Sequence, residues 1–313
     1  MKRVLAGILV AAILIITGCG ALQDLGRSRE PGVALASEEE RVTAPDVPRS
    51  DLDELVDGNT AFAFDLYRLL AEEDGNLFYS PYSISLALAM TYAGARGETE
   101  EQMAEALQFR LPQDDLHPAF NALDQILAQR GQGAEGKDDA DEQDPEGFRL
   151  NIANAIWGQE GYEFLSTFLD TLARNYGAGL RVLDFAGAPE ESREAINEWV
   201  SDQTEGKVKD LLLPGIIKPL TRLVLTNAIY FNAAWANPFQ EGLTEEGPFT
   251  RPDGSVVQVP MMRQQESFPY VEGENYQAVE LPYDGHEMSM VILLPAEGEM
   301  EPFEASLDAG RIE

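Results

Sequence analysis

Cys19 is the residue whose surroundings most clearly prescribe a reaction. Lys2 and Arg3 precede an apolar run from Val4 to Ile16, too short for a stable membrane span, which ends in Ile16-Thr17-Gly18-Cys19. Basic residues, an apolar middle and small residues before a thiol make an export signal, and these last four residues resemble a bacterial lipobox, whose cysteine is acylated and becomes the first residue of the mature protein. Residues 1–18 are therefore expected to be removed as a signal peptide. Cys19 should then hold an exported protein to the cell envelope, on its extracellular or periplasmic face. It is the only cysteine, so no intramolecular disulfide can form in that oxidising compartment.

Catalytic chemistry has few carriers. His117 stands beside Pro118 in a loop or helix start and His286 in the turn Tyr283-Asp284-Gly285-His286, neither with a partner at metal-ligand spacing. The G-x-S-x-G elbow, the G-x-x-x-x-G-K-[ST] phosphate loop and H-E-x-x-H do not occur. No metal, no cofactor and no enzymatic activity are expected. One alternative stays open, a hydrolase whose triad assembles from distant residues, and it requires His117 or His286 to meet a serine. The 55 acidic residues outnumber the 22 basic ones, only five of them Lys, for a net charge of −33. Such a surface repels nucleic acid and anionic head groups, so no nucleic-acid partner is expected. The same composition suits a saline habitat, where salt screens the repulsion, or simply an acidic exported protein.

The elements that position these residues follow from periodicity. Residues 19–51 mix Gly, Ser, Pro and charge and read as a flexible tether, with the globular domain spanning 52–313. Ala61, Phe64, Tyr67 and Leu70 mark an amphipathic first helix that ends at Gly75. After a short apolar entry from Asn76, Ser80 and Pro81 are placed to cap a helix that Ile84, Leu86, Ala87, Leu88, Met90 and Tyr92 make apolar nearly all round. Gly94 and Gly97 break it, and Thr99 with Gln102 reads as the capping box of the next helix. A helix around Phe120 to Leu127 leads into residues 131–147, whose seven acids and one Lys make a solvated loop. Arg149 to Trp157 and Arg222 to Phe231 are apolar on both faces, as central strands covered on both sides are. Between them Phe164, Phe168, Leu172 and Tyr176 mark one helix and Ile196, Trp199 and Val200 another, the second following Pro189 and ending near Gly206. Short strands are expected at Val256 to Met262, Tyr276 to Tyr283 and Met288 to Leu294. The class is α+β.

The run NLFYSPYSISLALAMTYAGARGETEEQMAEAL, Asn76 to Leu107, resembles the core helix and following turn of the serpins, the serine-protease-inhibitor superfamily. LVLTNAIYFNAAWANPF, Leu223 to Phe239, resembles the long central strand of the serpin main sheet and the bend that ends it. LNIANAIWGQEG, LRVLDF with INEWVSDQTEGKVKDLL, VPMM and AVELPYDGHEMSMVILLP are similar to serpin segments and come in serpin order, so the resemblance covers roughly residues 52 to 313. It implies mixed sheets with helices packed around a large central sheet, and a monomer that inhibits a target serine or cysteine protease. In such proteins the protease cleaves an exposed reactive-centre loop, which then inserts as a new strand into the main sheet. By resemblance Ser80, Ser83 and Asn227 belong to the shutter, a polar cluster beneath the central strands, and Trp235 to the breach where insertion begins. The inserted strand is expected between Arg149 to Trp157 and Arg222 to Phe231. Family members carry the loop and two final strands beyond the point that matches Glu313, so no reactive-centre residue can be named here and this chain by itself is expected not to trap a protease. Val279, Leu281, Val291 and Leu293 should then lack apolar partners. A serpin-like protein that binds without inhibiting, or an inactive fragment, is the alternative within the family.

Overall fold

The computed structural model describes residues 33–35, 37, 39–72, 75–130, 149–177, 179–251 and 253–312. Cys19, the signal segment and the acidic stretch 131–147 lie outside the described residues. In chain order the elements are β1 (Val33–Leu35), α1 (Arg49–Leu70), α2 (Pro81–Tyr92), α3 (Glu98–Ala106), α4 (Gln113–Ala128), β2 (Arg149–Gln159), α5 (Ser166–Tyr176), β3 (Leu180–Leu183), α6 (Pro189–Gln203) and β4 (Leu223–Asn232). There follow β5 (Glu245–Thr250), β6 (Val256–Met261), β7 (Tyr270–Glu272), β8 (Tyr276–Pro282), β9 (Ser289–Pro295), α7 (Met300–Ala305) and α8 (Ala309–Ile312).

The main sheet has the order β1-β3-β2-β4; β5 pairs with β6, and β7, β8 and β9 form a third sheet. β2 and β4 are antiparallel neighbours over ten registered positions, from Arg149 opposite Asn232 to Gly158 opposite Leu223. This overturns two expectations. A strand cannot enter between these two without breaking that ladder, and β4 is not a central strand among the described residues but an edge, with Leu223 and Phe231 exposed. A third correction concerns residues 19–51. Val33–Leu35 is an edge strand of the main sheet, paired antiparallel with Leu180 to Val182, and α1 already begins at Arg49. Three apolar residues are too few to register as a strand by periodicity, and the free edge of β3 supplies the partner.

Helix ends follow local chemistry. The Ser80 hydroxyl accepts from the Ser83 N–H and Pro81 occupies the first turn, as the capping pattern required. The capping box at Thr99 does not form. Gly97, at φ +62°, takes the cap of α3, and the Gln102 carboxamide donates to Glu98 within the helix. Gly97 reaches a left-handed backbone that Thr could not, and Glu98, Glu100 and Glu101 then complement the helix dipole. α1 buries Leu55, Gly58 and Phe62 rather than the face through Ala61 and Phe64, and it stops at Leu70. Gly58 explains the rotation: a Cβ there would lie 2.4 Å from the Gln108 carbonyl oxygen, so only glycine lets α1 approach the chain after α3 so closely.

Three apolar clusters hold the layers together. Leu86, Ala89, Tyr92, Leu116, Ala119 and Phe120 join α2 to α4 and α1. Trp157, Phe185, Ile196, Trp199 and Val200 pack α6 on β2 and β4, on the face opposite α2. Met90, Ile156, Leu172 and Leu180 fill the space by α5 and β3. α2 touches both β2 and β4, so its buried faces support the sheet directly.

Candidate functional site

Of the polar residues that the sequence marks for a cluster, Ser83 and Asn227 meet where α2 passes under the β2–β4 pair. The Asn227 carboxamide nitrogen donates to the Ser83 carbonyl (3.1 Å) and to Asn154 Oδ1 (2.6 Å), tying β4 to the first turn of α2 and to β2. Ser83 is fully buried, and its hydroxyl has no hydrogen-bond partner among the described residues. The same is true of Ser85, two residues on and on the far side of α2. A buried hydroxyl without a partner costs about 1–3 kcal/mol, so this is a cluster with unused bonding capacity. Ser80 takes part only as the helix cap.

Asn154 escaped the sequence reading. It lies directly opposite Asn227 in the β2–β4 register. A polar amide inside the apolar run Leu150 to Trp157 was the available signal. On the other side of the ladder the Trp157 indole N–H donates to the Thr226 hydroxyl (2.9 Å), which is buried and in turn donates to the Ala155 carbonyl. β2 and β4 are thus pinned by side chains on both faces as well as by the ladder.

Trp235 is elsewhere, where the chain leaves β4. It forms a bridge with Tyr283, whose ring stacks on the indole at 4.8 Å and 14°. The Asp284 N–H donates to the Ala234 carbonyl and the Ala236 N–H to the Pro282 carbonyl. Phe231 and Phe239 close the aromatic group from either side. Trp235 therefore fastens the end of the main sheet to the β7–β8–β9 sheet, and it is not in contact with the Ser83–Asn227 cluster.

His117 differs from the loop or helix start expected of it, whereas His286 sits exposed in the turn as expected. His117 lies inside α4 and is buried, with Nδ1 2.7 Å from the Tyr176 hydroxyl and the ring packed against Tyr92 and Tyr176. Burial, with a smaller push from the Arg96 cation, lowers its pKa to about 4, so the ring is neutral at ordinary pH. Tyr176 and Tyr82 are both driven up by burial and stay protonated. His286 is in the tight turn, at φ +55°. The triad alternative asked for a serine against His117 or His286, and at His117 tyrosines occupy that place. The described residues contain no group of three or more His, Cys, Asp or Glu able to hold a metal.

Comparison with known proteins places this geometry. The family described as Serpin (serine protease inhibitor) matches residues 57–313. The chain is 38% identical to an uncharacterised serpin-like protein of Thermococcus kodakarensis, over 98% of this chain and 70% of the relative. It is 41% identical to leukocyte elastase inhibitor of Equus caballus, over 80% of this chain but 63% of that protein, so it spans less than two thirds of that relative's length. Among solved structures, emu ovalbumin superposes with a TM-score of 0.72 at 29% identity, covering 83% of this chain and 68% of ovalbumin. Cleaved kallistatin complexed with heparin gives 0.73 at 29% identity, covering 83% and 74%.

Proposed function

The chain belongs to the serpin family, and on that premise we propose that the protein is bait for a serine or cysteine protease. The protease cleaves a reactive-centre loop, and the freed loop joins the main sheet as a strand along the outer edge of β4. One observation carries this reading: among the described residues β4 is a ten-residue strand with no further strand beside it, lying over a buried polar cluster whose Ser83 hydroxyl has no hydrogen-bond partner there. An added strand supplies hydrogen-bond partners along that edge and can bring an acceptor or donor to Ser83. Asn227, bonded to both Ser83 and Asn154, would then be the joint across which the sheet moves on α2, the shutter role, and Trp235 would hold the end of β4 where the strand enters, the breach role.

The sequence at Cys19 supports an exported, lipid-anchored protein that meets its protease at the envelope. An alternative remains in which the protein binds without inhibiting. A form of the protein that carries the loop, incubated with trypsin-like, chymotrypsin-like and subtilisin-like proteases, should give a covalent complex that survives denaturing gels. Clean cleavage with no complex would favour the binding alternative. Labelled fatty acid supplied to an expressing bacterium should enter the wild type and not Cys19→Ser, and equal labelling of the two would refute the anchor.

A further inference from the structure

The two ends of the main sheet are finished differently. Among the described residues no strand lies beyond β4 at one end, while at the other β1 covers β3 over three registered pairs. The family match starts only at residue 57, so β1 and the segment after it lie outside the matched part.

That segment is tied down at Ser37, Glu39, Arg41, Val42 and Val47. The Ser37 hydroxyl donates to Asp170 on α5, and the Arg174 guanidinium is 3.7 Å from Glu39. Arg41 donates through Nε to Asn121 Oδ1 (2.9 Å) and pairs with Asp124, both on α4. The Val42 N–H donates to the Arg174 carbonyl (2.9 Å), and the Val42 carbonyl accepts from Asn121 Nδ2 (2.8 Å) and Gln125 Nε2 (2.9 Å). Asn121 is fully buried, and much of its bonding is to Arg41 and Val42. Val47 packs on the helical core just before α1. One stretch of chain therefore joins the β3 edge to α5, α4 and the start of α1. Satisfied buried amides of this kind specify one arrangement, because releasing them leaves a desolvated group behind.

Taking a strand in beside β4 changes the strand number and the twist accumulated across the sheet, so the strands must shift over the helices that support them. A segment bound to β3 and to α4 and α5 at once opposes that shift. We propose that residues 33–47 are a strap whose attachment through Arg41 holds the sheet in its strand-poor arrangement, and whose release speeds the uptake of a strand at β4. The proposal rests on the reading of β4 given above and adds its regulation.

The test uses the full chain and a labelled, acetylated peptide of alternating threonine and alanine, long enough to lie along β4. Arg41→Ala should keep its far-ultraviolet circular dichroism and exchange the Val42 and Leu180 to Val182 amides faster. It should take up the peptide about tenfold faster than the wild type, the factor expected for losing a charge-assisted hydrogen bond. Arg41→Lys, which keeps the charge and loses the fork, should fall between. If Arg41→Ala does not fold, Gln125→Ala, which keeps the ion pair, should still give a smaller acceleration. Faster exchange in the strap with an unchanged uptake rate would overturn the strap and leave the β4 reading standing. No peptide-dependent protection of β4 in any variant would overturn that reading and the strap with it.

Discussion

Helix α2, the inner face of helix α4 and strand β9 are all largely apolar, yet they end in opposite situations. Ala89, Met90, Ala119 and Phe120 are completely inaccessible, whereas Val291 is 57% and Leu294 60% exposed. Because side chains alternate along a strand, exposure at Met290, Val291, Ile292 and Leu294 opens both faces of β9. The expectation that this region lacks apolar partners is met at Val291, but Leu281 is buried and Val279 and Leu293 are half-buried, because β8 lies between β7 and β9 and its inward face is covered. Apolar character alone therefore says little. In the helical part it has been converted into a rigid base for the sheet, and in β9 it remains a surface of the kind that marks contact with another segment.

The largest effect should separate the two regions directly. Phe120→Ala removes a fully buried ring that touches Phe109 edge-on and should cost about 3–5 kcal/mol. Leu294→Ala should change stability by no more than about 0.5 kcal/mol. Urea midpoints at constant slope check both, and equal losses would abolish the distinction.

Titration gives a second handle on the helical base. The unfolded chain takes up a proton at His117 near the ordinary value of 6.5, and the folded chain only near 4. The stability associated with the neutral ring is therefore intact above pH 6.5 and lost as pH falls from there to about 4, by about 3 kcal/mol in all. His117→Gln should lose less stability than the wild type between pH 7 and 4.5 in parallel urea titrations, and parallel curves would mean that the ring is not held neutral.

The smallest effect should be blind to region. With a net charge of −33, the thermal midpoint should rise from low to molar sodium chloride, mostly at low ionic strength, as screening relieves repulsion. A flat curve would mean that the charges are spaced widely enough to be quiet.

Much of this was legible in the residues. The all-round apolar face of α2, the Ser80 cap, the β2 and β4 runs and the strands at β6, β8 and β9 follow from period and capping chemistry. Order within the sheet was not, because two runs apolar on both faces look alike whether a strand lies between them or they pair directly. Asn154 was hidden for a related reason: its meaning depends on facing Asn227, a register that neither segment encodes alone. β1 was hidden because three residues carry no period, and His117 because a Pro beside it suggested a boundary where α4 runs through.

The central claim is that β4, and not the equally terminal β9, is the edge that takes a strand. Backbone amide exchange read residue by residue, with and without the threonine–alanine peptide, tests it. The alternate amides of β4 that face away from β2 should exchange freely in the protein alone and become protected when the peptide is added, while β9 is unchanged. Protection that appears on β9 and not on β4 would contradict it.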